Sequence, residues 1–139
     1  MKRSASARWS GTVQAGSGTL TTQSGTLKET PYSFRSRFGD GKETNPEELL
    51  AAAHAGCFTM ALSLFLSEAG FPPESILTRA DLNFDPAALE ITAIHLSLSA
   101  KVPGLEEGVF QTLAEKAKGG CPVSKVLKAA ITLEAVLES

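Results

Sequence analysis

The residues with the most distinctive chemistry in this sequence are its two cysteines, Cys57 and Cys121. They are far apart in the chain, so they do not form a Cys-x-x-Cys motif, and only folding can bring the sulfurs together. No apolar segment follows Lys2 and Arg3, so a secretory signal is not predicted. The expected compartment is the cytoplasm, where thiols are kept reduced. There the two cysteines are either inert buried residues or partners in a redox cycle.

The two cysteines have different local surroundings. Cys57 falls within an apolar segment, whereas Cys121 follows two glycines and precedes Pro122, which is typical of a helix start. The N-terminus of such a helix would favour negative charge on Cys121. A thiol in the middle of a helix lacks this support, so an ionised Cys57 needs a cationic neighbour, and an arginine suits that role.

A long apolar helix is predicted to carry Cys57. Asn45 or Thr44 is suited to the N-cap, Pro46 to the first helical position, and glycine and proline residues end the segment, which gives a helix over 45–70. Its length approaches that of a membrane span, but polar residues such as His54 and the lack of a basic flank favour a core helix. A helix that is apolar on all sides needs cover on all sides.

The rest of the chain is predicted to form two lobes of a single α+β domain, 1–139. An N-terminal β lobe, 1–43, is rich in Thr, Ser and Gly and is interpreted as hairpins or a meander. A C-terminal α/β lobe, 74–139, follows the central helix. Its predicted elements are paired strands over 76–85 and 90–101, an amphipathic helix over 106–118 with Val109, Phe110, Leu113 and Ala117 on one face, a short helix from Cys121 to about Leu127, and a last strand over 130–137.

The overall charge argues against two classes of partner. The formal net charge is -2, and 20% of the residues are charged, with no basic run. General attraction to nucleic acid or to an anionic membrane is therefore not expected.

Three ordered motifs stand out in the sequence: Thr44–Leu49, Ala52–Phe58 and Lys116–Ser124. Together with Pro31–Phe34 and Arg37–Phe38, they resemble the osmotically inducible protein C (OsmC) family, whose sister group is the organic hydroperoxide resistance (Ohr) proteins. His54, three positions before Cys57, favours the OsmC branch. The resemblance implies an OsmC-like fold, in which antiparallel sheets pack around a long central helix, and an intertwined homodimer.

The resemblance also implies an activity: a peroxidase of oxidative and osmotic stress defence that uses no metal or cofactor. It would reduce organic hydroperoxides, with inorganic ones left open. Cys57 matches the peroxidatic cysteine, Cys121 the resolving cysteine, Arg37 the activating arginine and Glu47 the glutamate that positions it. The sulfur would pass from thiolate to sulfenic acid to disulfide. A dithiol, expected to be a lipoylated protein rather than thioredoxin, would restore the thiols.

Helix geometry adds one expectation about Glu47. On one continuous helix, Glu47 and Cys57 are separated by ~15 Å along the axis. A bidentate Glu47–Arg37 pair that also touches Cys57 of the same chain is hard to build across that span. We therefore expect Glu47 to serve the Cys57 of a partner chain, with the two central helices packed antiparallel.

Two further side chains are candidates for substrate binding. His54 lies one turn before Cys57 and can tune the thiolate, line the substrate pocket or act as a hydrogen-bonded core histidine, and we favour the last two roles. Phe58 is interpreted as core or as an apolar pocket wall suited to organic hydroperoxides.

Two other functions compete with the peroxidase. His54, Cys57, Cys121 and His95 are soft ligands of the kind that zinc prefers, although they lack compact spacing. A non-catalytic, stress-induced ligand-binding protein with inert cysteines is the other alternative. Stoichiometric zinc would favour the first alternative, and a thiol count unchanged by hydroperoxide would favour the second.

Overall fold

The structure is a computed structural model that describes residues 1–138. The chain divides into two compact units, Met1–Leu49 and the residues from Leu50 onward. The expectation of a single domain over 1–139 stays a prediction.

The first unit begins with the predicted meander. Strands β1 (Ala5–Ser10), β2 (Ser17–Thr22) and β3 (Thr30–Tyr32) form an antiparallel sheet in the order β1-β2-β3. A five-residue helix, α1 (Phe34–Phe38), follows directly. The sequence interpretation did not include α1, which carries Arg37.

Helix α1 is held by a capping box. The Ser33 hydroxyl accepts a hydrogen bond from the Ser36 backbone N–H, and the Ser36 hydroxyl oxygen accepts one from the Ser33 N–H. Gly41 passes so close that a Cβ there would lie 2.7 Å from the Ser36 nitrogen. Only glycine allows this approach, which brings the following loop against α1.

The central helix, α2, runs from Pro46 to Glu68. Asn45 is its N-cap residue, because the Asn45 Oδ1 accepts a hydrogen bond of 2.8 Å from the Glu48 N–H. The helix stops shortly before the predicted end, where Gly70 adopts a φ of 89° that favours glycine.

Within one chain, α2 buries only one of its faces. From Leu50 onward, the buried residues of α2 recur every four positions: His54, Phe58, Leu62 and Leu66. On the opposite face, Met60 is 78% exposed and Leu64 54% exposed. The expected cover on all sides is therefore missing in the single chain. By length and composition α2 also resembles a membrane-crossing helix, a test that core helices of soluble proteins pass as well.

The second unit contains a mixed sheet in the order β4-β5-β6. Its elements are β4 (Ser75–Asp85), β5 (Glu90–Lys101), α3 (Glu107–Gly120), α4 (Pro122–Val126) and β6 (Ala130–Glu138). Strands β4 and β5 pair antiparallel, as predicted. Strand β6 pairs parallel with β5, so the expectation of antiparallel sheets is wrong for this strand. The chain returns through α3 and α4, and a crossover of that length allows parallel pairing.

The core of this unit lies between β5 and the helices. Alternate residues of β5 point inward, and they pack with the buried face of α2 and with Phe110 of α3. Ala114 and Ala117 share the buried face of α3, whereas Val109, which was placed there from the sequence, is 41% exposed. The inward residues of β5 are Ile94, Leu96, Leu98 and Ala100.

Candidate active site

The second unit brings the two cysteine thiols close together. Cys57 lies half-buried in α2, and Cys121 is fully buried at the junction between α3 and α4. Both are free thiols, and each lies near enough to shift the pKa of the other. Folding therefore joins the two sulfurs that the sequence keeps apart, and the more accessible of them belongs to Cys57.

Cys121 forms the N-cap of α4, as its place before Pro122 suggested. Its Sγ accepts hydrogen bonds from the Ser124 backbone N–H at 3.4 Å and from the Ser124 hydroxyl at 3.5 Å. Burial opposes ionisation, but the hydrogen bonds from the Cys57 thiol, from Ser124 and from the Val123 backbone hold the pKa of Cys121 below its usual value. These hydrogen bonds favour negative charge on the Cys121 sulfur.

Cys57 shows the opposite tendency. Burial raises the pKa of the Cys57 thiol, and its hydrogen bond to the Cys121 thiol raises it further, while the Val123 backbone N–H opposes this. None of these groups carries a positive charge. An ionised Cys57 therefore needs a cation beyond them, as the sequence suggested.

His54 is tied to the thiol pair through Ser124. The ring is fully buried, its Nε2 lies 2.8 Å from the Ser124 Oγ, and its Nδ1 has no hydrogen-bond partner among the described residues. Burial also lowers the pKa of His54, which keeps the ring neutral near pH 7. The position fits a hydrogen-bonded core histidine that lies next to the chemistry.

The two candidates for substrate binding, His54 and Phe58, are both fully buried. Both side chains are 0% exposed, and Phe58 belongs to the hydrophobic core of the second unit. Direct contact of either with a substrate at the surface of a single chain is hard to reconcile with this burial. Their role in binding stays a prediction.

The first unit contains the arginine and glutamate. The Arg37 Nε donates a hydrogen bond of 2.9 Å to the Glu47 Oε1. The expected bidentate pair is not formed, because the Glu47 Oε2 is buried without a hydrogen-bond partner among the described residues. Asn45 helps to hold the two elements together, since its side-chain amide donates to the Ser36 carbonyl.

An aromatic cavity of about 170 Å³ lies beside Arg37 in the same unit. The rings of Trp9 and Tyr32 pack in a tilted arrangement at 5.4 Å between centroids, and those of Phe34 and Phe38 do so at 4.9 Å. The sequence interpretation missed this cavity because the aromatic residues that line it come from separate strands and from α1.

The metal-binding alternative gains no support from the geometry. Within residues 1–138, no group of three or more His, Cys, Asp or Glu side chains is placed to hold a metal ion. His95 lies on β5, where its Nδ1 contacts the Thr132 hydroxyl at 2.6 Å.

Comparison with known proteins decides the family. A family model described as OsmC-like protein matches residues 39–136, which is more than half of the chain. The chain belongs to the OsmC-like protein family. The resemblance drawn from the three motifs is therefore confirmed.

Individual relatives agree with this membership of the OsmC family. The chain is 53% identical to the peroxiredoxin OsmC of Escherichia coli (strain K12), over 96% of this chain and 94% of that protein. It is 32% identical to an organic hydroperoxide resistance protein of Xanthomonas axonopodis pv. citri, over 78% and 75% of the two chains. The crystal structure of the organic hydroperoxide resistance protein OhrB of Bacillus subtilis is similar with a TM-score of 0.63 and 24% identity, covering 97% of this chain and 98% of that one. The expected OsmC-like α+β fold is confirmed.

Proposed function

We propose that this protein is a cysteine-dependent peroxidase that reduces hydroperoxides with electrons from a thiol reductant. The observation that carries the proposal is the proximity of the Cys57 and Cys121 thiols, each of which shifts the pKa of the other. The names of the relatives, a peroxiredoxin and a hydroperoxide resistance protein, support it.

In the proposed cycle, the Cys57 thiolate attacks one peroxide oxygen and the O–O bond breaks. Cys57 becomes a sulfenic acid, and the alcohol leaves. Cys121 then attacks the Cys57 sulfur, which forms the disulfide and releases water. Cys57 is assigned the first role because it is the more exposed of the two sulfurs, and Cys121 the second because it is fully buried.

Arg37 is proposed to lower the pKa of Cys57 and to stabilise the negative charge that develops on the leaving oxygen. Glu47 would fix the guanidinium plane through the Nε hydrogen bond. The aromatic cavity next to Arg37 supports an organic substrate, because a cavity of this size and character suits a small apolar group.

We further propose that Arg37 and Glu47 act on the Cys57 of a second copy in a homodimer. Helix α2 is continuous from Pro46 to Glu68, so the axial separation of Glu47 and Cys57 is ~15 Å. The exposed face of α2 supports the dimer, since it carries Met60 and Leu64. Gly56 lies on the same face, and a Cβ built there would meet no atom of the single chain within 4 Å. An unpartnered, buried Glu47 Oε2 is also suited to a donor from another chain.

A doubly tagged heterodimer tests this arrangement. One chain carries Cys57→Ser and the other Arg37→Met. If the arginine acts across the dimer, one complete site remains, and the heterodimer keeps about half of the wild-type activity. The reciprocal heterodimer, with both substitutions in one chain and a wild-type partner, is then inactive. The opposite pattern, with only the reciprocal heterodimer active, would place Arg37 and Cys57 of one chain in the same site.

The dimer itself is tested by Gly56→Leu. A larger side chain meets open space within one chain, so the fold is expected to persist, while close approach of two α2 helices is blocked. Sedimentation is expected to show a folded monomer with reduced peroxidase activity. An unchanged dimer would exclude this face as the interface.

The reductant is proposed to be a dithiol, a lipoyl group on a protein, on the basis of the family resemblance. Steady-state reduction of the oxidised protein by a lipoyl system and by a thioredoxin system tests this proposal. Faster turnover with thioredoxin would contradict it. Residence in the cytoplasm likewise remains part of the proposal, and fractionation of the source cells tests it.

A further inference from the structure

Ser124 and His54 form a hydrogen-bonded path that ends at the Cys121 sulfur, and the proposed cycle does not yet use it. The Ser124 Oγ lies 3.5 Å from the Cys121 Sγ and 2.8 Å from the His54 Nε2. These atoms come from α4 and α2, so the path is a product of the tertiary fold. The imidazole ring is completely buried.

The path has two complete hydrogen-bonding patterns. When Cys121 is a thiol, its S–H can donate to the Ser124 oxygen, and the Ser124 O–H then donates to the His54 Nε2. When Cys121 is a thiolate, the Ser124 O–H donates to the sulfur, and the Nε2 must carry a proton that it donates to the Ser124 oxygen. One proton shift along two hydrogen bonds converts the first pattern into the second.

A purely structural histidine would be expected to satisfy both ring nitrogens when it is buried. His54 instead has one nitrogen on Ser124, while its Nδ1 has no partner among residues 1–138. The ring is thus held through the one nitrogen that leads to the sulfur. Burial keeps His54 neutral, which is the form that can accept a proton.

From this geometry, and resting on the proposed peroxidase cycle, we infer that Ser124 and His54 form a proton relay for the resolving cysteine. Ser124 is the catalytic residue because it touches the reacting sulfur, and His54 is a positioning residue that acts through it. In the resolving step the Cys121 proton moves to Ser124 while the hydroxyl proton of Ser124 moves to the His54 Nε2. The electron pair left on Cys121 forms the S–S bond.

The step balances without another reactant. As the S–S bond forms, the S–O bond of the Cys57 sulfenic acid breaks, and hydroxide leaves with that electron pair. The hydroxide takes up one proton to become water, and His54 gives up the proton that it received. The backbone N–H of Ser124 stays on the Cys121 sulfur throughout, which keeps the thiolate oriented.

Ellman's reagent tests the relay without a peroxide. Cys57 of the reduced protein reacts first and releases one thionitrobenzoate, and Cys121 then attacks the mixed disulfide and releases a second. The rate of the second phase reports the reactivity of Cys121 alone. In Ser124→Ala and in His54→Gln, we expect a normal first phase and a second phase slowed by ~10²-fold, in the range of general acid–base effects.

The variants separate a relay from a structural contact. His54→Gln keeps a donor toward Ser124 but cannot accept a proton, so the variant would keep the wild-type rate if His54 only held Ser124 in place by a hydrogen bond. Ser124→Thr keeps the hydroxyl and is expected to restore the second phase. Thr59→Val removes a different hydroxyl of α2, one hydrogen-bonded to Ala55 and Thr78, and is expected to leave both phases unchanged. Thermal unfolding of each variant checks the fold.

Wild-type second-phase rates in both Ser124→Ala and His54→Gln would overturn the relay. If Ser124→Ala does not fold, His54→Gln against Ser124→Thr decides the outcome. The peroxidase proposal is read separately, by the loss of two thiols per chain on adding tert-butyl hydroperoxide to the wild-type protein. A slow second phase with no thiol loss would retain the relay and reject the peroxidase.

Discussion

The two compact units differ in the chemistry that each contributes. The unit Met1–Leu49 contains no cysteine, but it carries the Arg37–Glu47 ion pair and an aromatic cavity. The unit from Leu50 onward contains both sulfurs, and the groups in it that act on Cys57 bear no positive charge. The proposed cation, Arg37, and the proposed nucleophile, Cys57, thus belong to separate units of the chain. The proposed cycle requires both, and in the proposed homodimer the cation comes from the second chain.

Removing the sulfurs of the second unit is expected to have the largest effect on activity. Cys57→Ser is expected to reduce peroxide turnover by about 10³-fold or more, because the nucleophile is gone. Cys121→Ser should still undergo the first oxidation and then accumulate Cys57 sulfenic acid. Mass spectrometry with dimedone trapping measures this species. Wild-type turnover in both variants would exclude the assigned chemistry.

Removing the positive charge of Arg37 in the first unit is expected to have the next largest effect. Without Arg37, burial and Cys121 leave the pKa of Cys57 raised, so less thiolate is present at pH 7. Arg37→Met should therefore lower the rate of Cys57 oxidation by roughly 10²-fold. Because thiolate increases with pH, the rate profile of this variant should move to higher pH. Thiolate absorbance in a Cys121→Ser background measures the shift. An unchanged pKa would show that the two units act independently.

Substituting the glutamate sharpens the comparison within the first unit. Glu47→Gln removes the charge that orients Arg37, and we expect a loss of ~10-fold in the oxidation rate, typical of a positioning contact. Glu48→Gln is the matched control, since Glu48 lies next in the chain but is exposed and hydrogen-bonded to Thr44. Equal losses in the two variants would point to a general effect on the start of α2.

The smallest expected effect concerns stability. Asn45→Ala removes the N-cap of α2 and the amide hydrogen bond to the Ser36 carbonyl. Loss of such a cap costs about 1 kcal/mol of unfolding free energy. Urea denaturation measures this difference. Thr44→Ala, a neighbour that was the other N-cap candidate, should cost less.

Local patterns in the sequence predicted much of the fold. Alternation of apolar and polar residues located β4 and β5 to within a residue, because one face of each strand packs on the core. The start of α2 followed from Asn45 and Pro46. Helix α1 was missed because five residues give no periodicity, although Ser33 and Ser36 have the spacing of a capping box.

Local sequence patterns could not predict the contacts between residues of the site that lie far apart in the chain. The contact of His54 with Ser124 joins residues from two elements, and no local pattern encodes it. Ser124 itself could have been found: if Cys121 is an N-cap, the residue three positions later presents its backbone N–H to the cap side chain. The parallel pairing of β6 depends on the crossover, and strand periodicity looks the same in either direction.

The parallel pairing of β5 with β6 has a consequence for the sulfur chemistry. Helices α3 and α4 lie in the segment that connects these two strands, and Cys121 lies at their junction. This segment is held at both ends, because β5 and β6 are paired in the same sheet. Strand β6 contributes no proposed reactive side chain, but without it only β5 would hold the segment that carries Cys121. Pairing of β6 with the sheet therefore helps to fix the position of a sulfur that lies elsewhere in the sequence.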